Sequence, residues 1–227
     1  MQSVQRPYRY TRLEDSQVHQ KWQNNAVKGR NLAEQTSVVT PERFASGFTY
    51  DDYIAQIKVN HDKFEEYTAT STDVLSADDI AFFTKAAKAG AAKMLVVGED
   101  WCPDVYRGLP VFTRIANAAG MELRVFPRDE NLDIADEFLN RGEFRSIPTV
   151  IFYNADGDYQ CHWIEKPAIG YQETDEFVEA ARKELPEGTE EAEVRKLSRP
   201  RLLERYPAWQ KATVEEIRAM LAKTLSI

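Results

Sequence analysis

A chain of 227 residues with 43% apolar side chains holds enough material for one domain of ordinary size with extensions, or for two small ones. Its formal charge of −8 argues against broad binding to nucleic acid or to an anionic membrane, while leaving room for a local basic patch. The start, Met1-Gln2-Ser3-Val4-Gln5-Arg6-Pro7, lacks the apolar centre of a signal peptide, and no segment approaches spanning length, so a cytoplasmic protein is expected.

Residues 1–47 are polar and irregular, with Pro7, Gly29, Pro41 and Gly47 as breakers; an ordered arm or short helices, not a domain, are expected, and the first domain boundary is set between 48 and 49. From Thr49 the pattern changes. Tyr50, Tyr53, Ile54, Ile57, His61, Phe64 and Tyr67 recur at helical spacing, and Thr49 followed by Asp51 and Asp52 suits a capped start. A second helix is expected from Ser76, with Asp78 and Asp79 in its first turn and Gly90 as its stop. These four aspartates are read as helix-start residues without acid–base roles.

Strand and helix then alternate. Lys93–Gly98 reads as a buried strand; a helix opens at Pro103, whose missing N–H is harmless in a first turn, and ends at Gly120. Residues 121–126 form a second strand, and 135–140 belong to a helix closed by Gly142. Thr149–Tyr153 and Tyr159–Ile164 flank Asn154-Ala155-Asp156-Gly157-Asp158, a hairpin turn signal, and a helix follows at 173–184. The order β-α-β-α-β-β-α predicts an α/β fold with a central mixed sheet flanked by helices.

The main domain is placed at 49–185, and 186–227 is a C-terminal helical extension. Pro186, Gly188, Pro200 and Pro207 interrupt that charge-rich tail, so its helix is expected to begin only at Thr213, where Thr213 and Glu216 form a capping-box pattern. The stripe Val214, Ile217, Leu221 and Leu225 is expected to pack on the domain, with docking of a partner as the sharper alternative.

Two cysteines, Cys102 and Cys161, accompany only three histidines, His19, His61 and His162. A reducing compartment favours free thiols. Cys161 and His162 are neighbours on a strand and point to opposite faces, so no metal site is expected. Cys161 reads as core packing and His162 as a strand residue. Cys102 is different. The tetrapeptide Trp101-Cys102-Pro103-Asp104 follows the apolar run Met94-Leu95-Val96-Val97 and places a thiol where a strand hands over to a helix. Backbone N–H groups there favour a thiolate. Asp104, Glu99 and Asp100 oppose this and Arg107 offsets them; the direct contact of N–H groups is expected to win, leaving the thiol modestly below the ~8.5 of a free cysteine.

With Pro110 and then Ser146-Ile147-Pro148-Thr149, this arrangement resembles the thioredoxin family over roughly residues 75 to 182. The stretch from Arg128 to Thr149 looks most like a bacterial branch with a Trp-Cys-Pro-Asp-Cys site. The resemblance implies a thioredoxin-like fold, with Cys102 as nucleophile at the helix N-terminus, Pro110 kinking that helix, and Pro148 in a cis bond opposite the thiol. Trp101, Pro103 and Asp104 would shape the site, and Ile147 and Pro148 would offer backbone groups to an extended partner. Two departures matter: Val105 stands where the resolving cysteine belongs, and Val96 where the family has a buried acid. The first reading is therefore a single-thiol protein that exchanges disulfides with a protein or low-molecular-weight thiol partner through mixed disulfides. The second is a non-catalytic interaction module on the same frame. Peroxide reduction is weaker, because the Arg and Thr/Ser of a peroxidatic motif are missing, and no cofactor is expected.

Overall fold

The computed structural model describes residues 37–227. The expected N-terminal arm lies mostly outside the described residues. Within them the chain opens with a short helix, α1 (Pro41–Ala45), whose first turn is closed by the Thr40 side chain accepting from the Arg43 N–H.

Thr49 caps α2 (Tyr50–Gln56) as its sequence position predicts, accepting from the Asp52 N–H at 3.2 Å. The helical run expected to continue to Tyr67 instead divides. The Lys58 and Val59 N–H groups turn to the Asp100 carboxylate, at 2.7 and 3.3 Å, and Asn60 takes a left-handed conformation (φ 61°) before α3 (His61–Thr70) begins. An acid about 40 residues further along the chain thus supplies acceptors that helix carbonyls would otherwise provide. The apolar spacing persists across the break because Tyr53, Phe64 and Tyr67 are all buried, and Phe64 and Tyr67 both meet the Tyr106 ring.

Ser76 and Asp79 close a reciprocal capping box at the start of α4 (Ala77–Ala89), and Gly90 (φ 147°) ends it. β1 (Lys93–Gly98) leads to α5 (Pro103–Ala119), which Gly120 terminates in the left-handed region. β2 (Glu122–Pro127) and a 3₁₀ turn (Arg128–Glu130) precede α6 (Leu132–Glu137). That helix lies ahead of the 135–140 span read from sequence, because Asn140 pairs its backbone with Phe144 and takes the chain into a tight turn.

β3 (Thr149–Tyr153) and β4 (Tyr159–Ile164) form the expected hairpin, with the Asn154 side chain accepting from the Asp158 N–H. The sheet runs β2-β1-β3-β4: β1 is parallel to β2 and antiparallel to β3, and β3 is antiparallel to β4. The central pair is apolar on both faces; β3 is buried throughout and β1 everywhere but at Lys93, as helices on each side require.

The tail departs most from expectation. α7 (Ala168–Glu184) begins before residue 173, and α8 (Glu191–Leu225) runs without interruption through Pro200 and Pro207. Thr213 is an interior residue of α8, its hydroxyl bonded to the Trp209 carbonyl. Glu216, read as half of a local capping box, instead accepts from the Ala168 N–H at the start of α7 and from the Trp163 indole on β4. A proline inside a helix removes a backbone bond and crowds the preceding turn. Burial of Tyr206, Trp209, Val214, Ile217 and Leu221 against α4, α5, α7 and β4 outweighs that cost. Among the described residues no helix is long and apolar enough to cross a membrane.

Candidate thiol site

Cys102 is the N-cap of α5. Its carbonyl accepts from the Val105 and Tyr106 N–H groups, at 3.0 and 3.2 Å, and Pro103 takes the first helical position. The sulfur itself closes no cap bond. It donates instead to the Ile147 carbonyl at 3.6 Å, across a cis Ile147-Pro148 peptide. Pro148 also comes close to α5, where a Cβ on Gly108 would stand 3.5 Å from its ring. The structure therefore brings Trp101, Cys102, Pro103, Asp104, Ile147 and Pro148 together. Cys102 is 8% exposed, whereas Trp101 beside it is 48% exposed with the Arg128 guanidinium 5.1 Å from its ring.

Residues 47–182 match the Thioredoxin family. The chain belongs to that family. Its fold is also similar to two solved structures, a protein of unknown function from Pseudomonas aeruginosa and an HIV epitope-scaffold (4E10). They are 15% and 14% identical, each with a TM-score of 0.56, and each comparison covers 83% of this chain and 99% of the other. No curated protein matches the chain.

Helix α5 of this thioredoxin-family protein carries valine, not cysteine, at position 105. Val105, one turn beyond the thiol, is fully buried and packs on the end of β1, where a Cβ on Gly98 would fall 2.9 Å from its methyl group. Val96 is likewise fully buried within the sheet. Neither position offers a proton acceptor or a second sulfur.

The modestly acidic thiol expected from sequence is overturned. Burial pushes the Cys102 thiol up to about 11, and the Asp104 carboxylate adds to it; the Val105 and Asp104 N–H groups and the Lys166 ammonium pull the other way and lose. At a solvated cap direct N–H contact dominates; this cap is buried. A sulfur packed against a carbonyl is better served as an S–H donor.

Sequence reasoning also missed a partly buried charge cluster beside the thiol. Asp104 is shared between Arg107 (2.7 Å) and Lys166 (3.3 Å), and Lys166 reaches Glu165 as well (3.1 Å). Burial works against the Lys166 charge, but Asp104 and Glu165 outweigh it and hold the ammonium above its usual range. Arg107 is 1% exposed, with its Nη2 directed at the Glu165 carbonyl and its Nε without a partner among the described residues. The Asp104–Arg107 spacing, one helical turn, was visible in the sequence. Glu165 and Lys166 were not, because only the hairpin and a left-handed residue at Glu165 (φ 70°) carry them back to α5.

Cys161 is a free thiol in the core, pushed by burial up to about 11 despite the Thr224 hydroxyl. His162 accepts or donates through Nδ1 to the Tyr159 hydroxyl at 2.6 Å, and burial lowers its pKa to about 4. Among the described residues no three His, Cys, Asp or Glu side chains group as a metal site would require.

Proposed function

We propose that this thioredoxin-family protein acts through Cys102 as a single thiol that forms slow, long-lived mixed disulfides with protein or low-molecular-weight partners. The observation that carries the reading is the placement of the sulfur, at the N-terminus of α5 and against the Ile147 carbonyl, next to the exposed Trp101 ring. Cys102 loses its proton to solvent and attacks one sulfur of a partner disulfide. A Cys102–partner S–S bond forms as the partner's own S–S bond breaks, and the departing sulfur takes the electron pair and then a proton. An external thiol reverses the step and is left disulfide-bonded in Cys102's place.

The shifted thiol sets the pace of both halves. With a pKa of about 11, roughly one sulfur in ten thousand is ionised at pH 7. The more basic thiolate is a stronger nucleophile, which recovers part of the loss, so attack is roughly twentyfold slower than by a free cysteine. Release is slow as well, because a basic sulfur is a poor leaving group and Val105 offers no internal thiol. Capture is favoured over turnover.

A second reading, a non-catalytic interaction module, is favoured by the same burial of Cys102: an S–H bonded to the Ile147 carbonyl is stable as it stands. One experiment separates the two. The protein is incubated with glutathione disulfide and followed by intact mass. The exchange reading expects one adduct, at Cys102, that persists in reduced glutathione longer than the same adduct on an unstructured cysteine peptide. Absence of the adduct after prolonged incubation of the folded protein leaves the module reading.

A further inference from the structure

Arg107 is a fully buried cation on the helix that carries Cys102, and its surroundings come largely from the C-terminal helix. Its guanidinium carbon lies 5.1 Å from the Tyr206 ring and 5.0 Å from the Trp209 ring. Trp209 is itself fixed: its indole N–H donates to Glu173, which also takes Arg205, and its ring lies against Gly170, where a Cβ would come within 3.3 Å. Gln210, the next residue of α8, donates to the carbonyls of Arg107 (3.0 Å) and Tyr67 (3.3 Å) and accepts from Thr70. Arg107 then donates to one oxygen of Asp104, while Lys166 takes the other.

We propose that Arg107 is a positioning residue for Cys102: gripped by Tyr206 and Trp209 of α8, it keeps the Asp104 carboxylate shared between two cations. The C-terminal helix thereby governs how much of that negative charge reaches the sulfur. The inference rests on Cys102 being the reactive group of the site. A carboxylate two residues beyond a thiol disfavours its ionisation, and pairing the carboxylate on both oxygens weakens that effect. A guanidinium held between aromatic rings and out of water exerts its charge with little screening. The other titratable or charged groups around the sulfur are Tyr53 of α2, Tyr106 of α5, and Glu165 and Lys166 after β4; Glu99 and Asp100 precede it in the chain, and Tyr206 of α8 faces Asp104. All but Tyr206 lie outside the Arg107–Trp209 stack, and none of them is altered in the variants below.

The test follows the carbon-13 Cβ shift of Cys102 against pH in a Cys161→Ala background, which reads protonation whether or not the thiol reacts. Arg107→Gln is expected to raise the midpoint enough to lower the thiolate population at fixed pH about tenfold, one unit of pKa. Trp209→Leu raises it by less, and Arg107→Lys restores part of the loss. Asp104→Asn lowers the midpoint, and in that background Arg107→Gln has little further effect, because its route to the sulfur is gone. The proposal is overturned if Arg107→Gln leaves the midpoint in place, or shifts it equally with and without Asp104. Should Arg107→Gln fail to fold, a folded Trp209→Leu with an unmoved midpoint overturns it. Failure of the exchange reading is a separate result: Cys102 titrates normally in this series yet forms no adduct with glutathione disulfide.

Discussion

Cys102 and Cys161 share their exposure, 8% each, and burial raises both thiols to about the same value. Their surroundings share nothing else. Cys161 lies in a strand-and-helix core, where the Thr224 hydroxyl faces its sulfur. Cys102 stands between a helix N-terminus, a backbone carbonyl, a paired carboxylate and an exposed tryptophan. Burial alone therefore does not mark a site; convergence of groups able to act on the sulfur does.

The contrast breaks most visibly in a pair of substitutions. Cys102→Ser is expected to abolish adduct formation with glutathione disulfide, and Cys161→Ser to leave it intact; the reverse pattern in intact-mass spectra would move the reactive thiol to the core. Val105→Cys sharpens the comparison next. A thiol one helical turn from Cys102 acts at high effective concentration, so the adduct's lifetime is expected to fall by more than an order of magnitude. An unchanged lifetime would show that the packing against Gly98 keeps that side chain from the sulfur.

The Cys161 strand has a pH signature of its own. His162 is neutral in the fold, with a pKa near 4, and takes up a proton more readily once unfolded. Stability is thus complete above about 6.5 and is lost as pH falls toward 4, by about 3 kcal/mol from this group. Urea denaturation at pH 7 and near pH 4.5 should show the slope, and His162→Gln should flatten it. The two thiols act at the other end of the scale. The unfolded chain releases their protons first, so stability falls between about pH 9 and 11, by about 2–3 kcal/mol for each. Burial raises Tyr53, Tyr67, Tyr153, Tyr159 and Tyr206 as well, and they add to the fall above about pH 10, so Cys161→Ala should flatten the slope chiefly between about pH 9 and 10.

Much of the architecture is legible from short-range chemistry. Thr49 and Ser76 cap helices with side-chain oxygens, Gly90 and Gly120 end them in conformations that suit glycine, and the Asn154–Asp158 turn closes a hairpin. What was not legible depends on residues distant in sequence. Asp100 divides the run from Thr49, Glu216 caps a different helix from its own, and Lys166 joins Asp104 only through the hairpin. Pro200 and Pro207 read as breaks because the surface that holds α8 together belongs to other elements. The acidity of Cys102 failed for the same reason, since Ile147, whose carbonyl takes the thiol proton, lies 45 residues along the chain.

The last helix also bears on how the chain is made. Gln210 bonds to Arg107 and Tyr67 across 103 and 143 residues of sequence, and the Tyr206–Trp209 face covers elements that leave the ribosome long before it. During synthesis the α3 and α5 surfaces must wait for a segment that emerges later, with apolar rings uncovered in the interval. Pairings at such separation fold slowly and leave the unfinished chain open to aggregation. The helix that completes the thiol's surroundings is accordingly the piece on which the covering of α3 and α5 depends.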